Sequence, residues 1–430
     1  MNITEAQTTI NSFMKYGMQL GLERIDKLLN LIGNPQDKLK FVHIAGTNGK
    51  GSTCVMTSSI LTKAGYKTGL FISPYVTCFR ERMQISNVMI SEDELARILD
   101  YIMVFVKRMA KEKEFITEFE LITAVALKWF ADNNCDIVIL EVGLGGLYDA
   151  TNVIKNPIAS VITSISLDHV AILGNSIEKI AYQKCGIIKQ NSVTIIYPEQ
   201  KKEALDVILK VAKEKDNEII IPDLSEIKLL ESDIDGNKLI YNDKMLELPL
   251  VGEYQIKNLS VVLEIIKVLK RNEFKITSDN LKEGLKKVVY PARFEIISKN
   301  PLIIVDGSHN PDGIKSLVSI LIKNLTGKKL IGIIGMLKDK DVENSLKNLA
   351  PLFSEIIITS PRTDRSLPEQ DLKKVADKYC DDVKIINDKK EAVDYSLNKL
   401  SNEKVLIVCG SLYLASEIRP ILIQNIKELH

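Results

Sequence analysis

The chain lacks long apolar stretches, and it lacks a surplus of either charge. No run approaches the roughly 20 apolar residues of a membrane-spanning helix, and the opening MNITEAQTTI has neither the basic nor the apolar part of a secretory leader. Lys and Arg number 57 against 56 Asp and Glu, a formal net charge of +1. That balance offers no general attraction to nucleic acid or to an anionic membrane, so a charged partner must meet a local site. Six cysteines, Cys54, Cys78, Cys135, Cys185, Cys380 and Cys409, are scattered without C-x-x-C spacing. Neither a zinc site nor a disulfide framework is indicated, and reduced thiols in a cytosol are the simplest reading. Low-complexity segments and short-period repeats are missing as well. What remains is an ordinary globular composition over 430 residues, enough for two or three domains with their own cores. A soluble, cytoplasmic protein is expected.

Chemistry concentrates first in HIAGTNGKGST, His43 to Thr53. The apolar KFVHIA before it has strand length, and STCVMTSSILTKAG after it has helical spacing closed by Gly65. A strand, a glycine loop and a helix start together make an anion site. Gly46, Gly49 and Gly51 let the backbone of Thr47 and Asn48 approach a phosphate, and the free N–H groups and helix dipole supply a positive field. Lys50 adds a charge, and the hydroxyl of Ser52 or Thr53 can face a magnesium ion. The usual pattern Gly-x-x-x-x-Gly-Lys-Ser/Thr wants a hydroxyl where Gly51 stands.

Short Val- and Ile-rich runs, TGLFIS, DIVILEVG, IASVITSIS and SVTIIYP, alternate with helical stretches. Continuous apolar strands between helices predict a parallel sheet covered on both faces. In KLIYNDKMLELPLVG two short strands around Asn242-Asp243 predict a hairpin. Past VVYPARFEII the alternation resumes with PLIIVDGSHNP, LIGIIGM, EIIITS, VKIIND and KVLIVCG. The fold expected is α/β in two domains. Residues 1–291 form a P-loop ATPase-like, mostly parallel sheet with a small β-hairpin element, and residues 292–430 a smaller Rossmann-like parallel domain. Ligands of such sheets sit at the carboxyl ends of strands, so the domains are expected to face a shared cleft.

Few polar residues occupy those ends. Glu141 closes IVILE beside Gly143, Gly145 and Gly146. A buried carboxylate is costly unless it meets a cation, and magnesium on nucleotide phosphates is an apt one. Three of the 4 histidines, His43, His169 and His309, fall at ends of apolar strands, while His430 is the last residue and reads as inert. Asp168 precedes His169, Asp306 and His309 share one strand end, and Asn310-Pro311 opens a helix. Arg293, in YPARFE, can hold the joint together or swing its planar fork onto a phosphate.

These stretches together resemble the folylpolyglutamate synthase and dihydrofolate synthase family, a branch of the Mur ligases. The likeness runs from LGLERIDKLL to GSLYLASEIRP and includes LFISPY, FRERM, TEFELIT, EVGLGG with DATN, SLDHVAILGNSIEKIAYQKCGIIK, RFE, DGSHNP and KDKD. It implies an ATP- and magnesium-dependent ligase that activates the carboxylate of a folate or of dihydropteroate as an acyl phosphate. L-glutamate then attacks through its amine. By the same resemblance Lys50, Lys184, Arg293 and His309 carry catalysis, Lys184 as a carbamate. Ser52, Ser73, Glu141 and His169 face the metal. Asn258, Arg293, Asp306 and His309 contact ATP beside the loop, and Arg24, Arg82, Phe119 and Glu120 meet the substrate. Domain closure and a monomer are expected, with small-molecule substrates as the partners.

The chain departs from the family pattern where Leu147 and Tyr148 replace an Arg and a Leu or Phe, and where Tyr75 and Tyr254 stand for His. Substrate details rest on these positions. Two other readings stay open. One is a Mur-type ligase joining a different acid and amino acid, although a cell-wall precursor ligase carries an additional domain ahead of the loop. The other is a non-catalytic ATP-binding switch, against which the set Lys50, Glu141, His169, Arg293 and His309 speaks.

Overall fold

The computed structural model describes residues 1–17 and 19–429, and His430 lies outside the described residues. The first sheet is built from β1 (Phe41–Ala45), β2 (Thr68–Phe71), β3 (Met83–Ile85), β4 (Val88–Met89), β5 (Ile137–Glu141), β6 (Ala159–Ile162), β7 (Val193–Ile196) and β8 (Glu218–Ile220). Their order is β4-β3-β2-β5-β1-β6-β7-β8. Strands β2, β5, β1, β6, β7 and β8 pair in parallel, while β3 and β4 add an antiparallel edge. The continuous apolar runs are explained by burial on both faces. Along β5, Val138 and Leu140 enter one core layer with the helices Glu92–Lys111 and Glu118–Asp132. Ile137 and Ile139 enter the other, with the helices Lys50–Lys63 and Tyr254–Arg271.

Three more strands, β9 (Ile227–Asp233), β10 (Gly236–Tyr241) and β11 (Lys244–Leu248), form a separate antiparallel sheet. The expected hairpin is β10–β11, turned by Asn242 (φ 48°) and Asp243 (φ 58°), a two-residue loop whose positive φ values suit the strand twist. The structure adds β9 to it. That strand is largely exposed, so its sequence IKLLESD carries little alternation to read.

The second sheet comprises β12 (Glu295–Lys299), β13 (Leu302–Val305), β14 (Lys329–Ile334), β15 (Phe353–Ile358), β16 (Val383–Ile385) and β17 (Lys404–Cys409), in the order β12-β13-β17-β14-β15-β16. It is parallel except for the edge strand β12. Two core layers flank it. One of them also takes in Val76, from the loop that follows β2, which is buried beside Ala292, Leu412 and Ile418. Arg419 seals this junction by donating to Thr77 Oγ1 at 2.8 Å while it forms an ion pair with Glu295 at 2.7 Å.

The histidines correct the simple strand-end expectation. His43 sits in the middle of β1, fully buried, with Nε2 2.8 Å from Thr151 Oγ1. Strand β6 stops at Ile162, and Asp168 and His169 lie beyond it. The polar segment between leaves the sheet because its backbone binds the phosphate loop instead: Thr47 N donates to Ser164 O at 2.8 Å. His309 likewise follows β13 at a distance, on the turn ahead of the helix Pro311–Leu325 capped by Asn310.

Candidate functional site

The loop after β1 runs into the helix Lys50–Lys63, with Gly49 at the cap in the left-handed region (φ 88°). Its glycines are required by contact as well as by torsion. A Cβ on Gly46 would lie 1.8 Å from Thr163 Oγ1, one on Gly49 2.4 Å from Asn258 Oδ1, and one on Gly51 1.9 Å from the Tyr290 hydroxyl. The departure at Gly51 thus has a steric cause. Lys50 curls back to donate to Gly46 O at 3.0 Å and Thr47 O at 3.4 Å, as a cation does above a loop that holds phosphate. Ser52 lines the adjoining cavity and its Oγ accepts from Gln255 Nε2 at 3.3 Å. Thr53 turns away, its hydroxyl spent on Gly49 O at 2.9 Å. Of the two candidate hydroxyls, Ser52 is the one that faces the cavity.

That cavity, of about 280 Å³, gathers Gly46 to Ser52, Ser73, Glu141, His169, Lys184 and Asn258 from the first sheet's side, and Arg293, Asp306 and His309 from the second's. Glu141 is buried and its Oε2 accepts from Ser73 N at 3.0 Å. Burial pushes its carboxyl above the usual range, and Lys50 opposes that. Burial also holds the His169 imidazole down at about 4, hence neutral at pH 7. Its backbone sits at φ 49°, a left-handed conformation that costs a non-glycine residue energy. One carboxylate, a neutral imidazole and the hydroxyls of Ser52 and Ser73 form a donor set that fits a magnesium ion sharing its shell with phosphate oxygens. Lys184 is buried, donates to Gly46 O at 2.7 Å, and is lowered to about 7 by desolvation and by Lys50.

From the other side, Arg293 lies over the Tyr290 ring at 5.2 Å and presses on Gly307, where a Cβ would stand 2.8 Å from Nη1. Asp306 has both carboxylate oxygens engaged, accepting from Phe294 N ahead of β12 at 2.8 Å and from Ser308 N of its own turn at 2.9 Å. His309 places Nδ1 2.9 Å from Gly307 O, and burial lowers it to about 4. Its Nε2 points toward Asp168 at 3.8 Å.

Asp168 is a junction that sequence reasoning left without a role. Lys340 Nζ reaches its Oδ1 at 2.6 Å, and Asn310 Nδ2 its Oδ2 at 3.2 Å. Asn310 also donates to Asn48 Oδ1 of the phosphate loop at 3.0 Å. The opposing charges hold the Asp168 carboxyl far below its usual value despite burial. Lys340 lies in KDKD, a motif visible in the sequence, but its partner is 172 residues away. Gln255 and Tyr290 were missed for the same reason.

The four expected substrate residues are split. Arg24 and Glu120 pair with each other at 3.1 Å, and Glu120 also accepts from Thr117 N at 2.6 Å to cap its helix. None of the four lines the cavity itself. Phe119 packs on Gly143, one of the lining residues. Arg82 lies over the rings of Tyr75 (5.3 Å) and Phe79 (5.7 Å), with its Nε buried and unpartnered. Such a guanidinium is ready for an anion. Leu147 packs against Gly186, Tyr148 is exposed, and Tyr254 lines the cavity.

Residues 44–266 match the Mur ligase middle domain and residues 292–412 the Mur ligase glutamate ligase domain. Folylpolyglutamate synthase of Lacticaseibacillus casei is 35% identical over 98% of this chain and 99% of its own. The chain belongs to the folylpolyglutamate and dihydrofolate synthase family of Mur ligases. Another relative in this family, dihydrofolate synthase/folylpolyglutamate synthase of Bacillus subtilis, is 32% identical over 96% of this chain and 98% of its own. Folylpolyglutamate synthase of Mycobacterium tuberculosis, solved with ADP and AMPPCP, superposes with a TM-score of 0.88 at 28% identity, covering 98% of this chain and 99% of that one. E. coli FolC in complex with DHPP and ADP superposes at 0.85, with 27% identity over 99% and 98% of the two chains. The two-domain α/β fold is thus common to these family members.

Proposed function

We propose that this protein joins L-glutamate to a folate, to dihydropteroate, or to both, with ATP converted to ADP and phosphate. The observation that carries the reading is the meeting, around one cavity, of a phosphate loop from the first sheet with Arg293 and His309 from the second. A carboxylate at neutral pH is a poor acyl donor. Moving the γ-phosphoryl group onto its oxygen gives an acyl phosphate; the glutamate amine attacks the acyl carbon, a C–N bond forms, the C–O bond breaks and phosphate leaves. Phosphoryl transfer depends mostly on positioning and charge neutralisation. Loop amides, Lys50 and Arg293 supply that charge, and Asn258, packed against Gly49, would contact the nucleotide beside the loop. Magnesium, when bound, would be held by Ser52, Ser73, Glu141 and His169 and would draw charge off the phosphates. Lys184, whose amine burial makes easier to deprotonate, is poised to take up carbon dioxide as a carbamate, turning a cation into an anion. Arg82 and Phe119 would meet the acid substrate.

The domains divide at residues 1–291 and 292–430, and their closure keeps water from the acyl phosphate. Our reading is of a monomer that works in the cytoplasm. No helix among the described residues is long and apolar enough to cross a membrane. The test is ADP release with ATP, magnesium and L-glutamate, comparing dihydropteroate with tetrahydrofolate. Turnover with one acceptor assigns one activity and with both a bifunctional enzyme. Turnover with neither overturns the folate reading and leaves a Mur-type ligase for another acid.

A further inference from the structure

The chain leaves one core and enters the next within two residues. Tyr290 is buried in the layer that contains Val55, Met56 and Ile60 of the phosphate-loop helix. Ala292 is buried in the layer of the second sheet that contains Ile303, Val305 and Leu412. Only Pro291 stands between them, and Ala292 (φ 53°) and Phe294 (φ 47°) turn the backbone sharply beyond it. Tyr290 therefore ends the first body at the joint. Its hydroxyl abuts Gly51 so closely that a Cβ there would lie 1.9 Å away, and its ring carries the Arg293 guanidinium at 5.2 Å. Behind this pair lies a second cavity of about 300 Å³, lined by Pro249, Val251, Val288 and Val289 as well as by Tyr290 and Arg293 themselves. Both residues line the nucleotide-side cavity too. They form a partition with space on either side.

We propose that Tyr290 is a positioning residue that ties the phosphate loop to the hinge and holds Arg293 on the nucleotide side of this partition. The inference rests on the reading of Arg293 as a phosphate-facing cation. A guanidinium over an aromatic face is attracted by the ring quadrupole, and the ring is fixed at its far end by the phosphate-loop glycine. Without the ring, Arg293 has room to fall back into the second cavity and away from the charge it serves. A displacement on the order of 1 Å in such a group costs about 10²-fold in rate.

The experiment compares Tyr290→Leu, Tyr290→Phe, Arg293→Ala and the Tyr290→Leu/Arg293→Ala pair, reading kcat, the KM for the acid acceptor and thermal unfolding. Tyr290→Leu is expected to lower kcat about 10²-fold with the acceptor KM unchanged, Tyr290→Phe to lose less than Tyr290→Leu, and the leucine change to add nothing once Arg293 is gone. Full kcat in Tyr290→Leu overturns the inference, and so does a loss that multiplies with that of Arg293→Ala. Full turnover in Arg293→Ala overturns instead the underlying reading of Arg293. Should Tyr290→Leu fail to fold, Tyr290→Met takes its place: a kcat about 10²-fold down that adds nothing once Arg293 is gone supports positioning, and full kcat sinks it.

Discussion

Lys50 is the residue on which the chemistry presses hardest. Its amine donates to two backbone carbonyls of its own loop, Gly46 and Thr47, and among the described residues it forms no ion pair, so its charge is available to an anion. Replacing it with Ala should lower kcat by a factor on the order of 10³, because the transferred phosphoryl loses its nearest fixed cation. Normal turnover in that variant removes Lys50 from the mechanism. Glu141 makes a complementary prediction. It is buried, with Ser73 N on one oxygen and burial disfavouring its charge, so a cation opposite it would be well rewarded. Glu141→Gln should raise the magnesium concentration needed for half-maximal rate while leaving the unfolding temperature near the parent's. An unmoved magnesium titration counts against a metal role.

Among the elements, β1 shows how one strand serves both core and site. Its last residue, Ala45, leads into the phosphate loop, while His43 in its middle is sealed from water and lowered to about 3 by burial. The sign of the pH effect follows. An unfolded histidine titrates near 6.5, so between about pH 6.5 and 3 the unfolded chain binds the extra proton and stability falls as pH drops, by up to about 1.4 kcal/mol per pH unit. His43→Gln should flatten that acid limb in urea unfolding; an identical limb means other groups set it. Elements of this kind were well marked in the sequence: the apolar runs that became β1, β5, β13, β14 and β17 are buried on both faces, and burial on both faces is what makes a run continuous. Strand β9 was not marked because its side chains face solvent. Glu120 has a duty the linear string did not show: the Thr117 capping box takes its carboxylate.

For the whole molecule, one polar junction beside the cavity joins the two bodies. Lys340 from the second body and Asp168 from the first form a buried pair at 2.6 Å, joined by Asn310 and through it by Asn48. Removing one partner of a buried pair costs about 3 kcal/mol, mostly from the charge left behind. Lys340→Met should therefore weaken binding of an ATP analogue and enlarge the radius of gyration measured by small-angle scattering. Unchanged scattering and affinity would return the pair to a local role. Taken alone, the sequence determined the phosphate loop, the two parallel sheets and the polar residues near their carboxyl ends, because glycine spacing and apolar periodicity are local consequences of backbone geometry. Tertiary structure decided which of those polar groups share a cavity: Ser52 and not Thr53 faces it, Arg24 turns to Glu120, and Asp168 receives Lys340. It also decided why Gly51 is glycine, for the Tyr290 hydroxyl that excludes a side chain there arrives from the far end of the first body. Contacts between distant segments depend on where the chain returns, and local periodicity does not encode that.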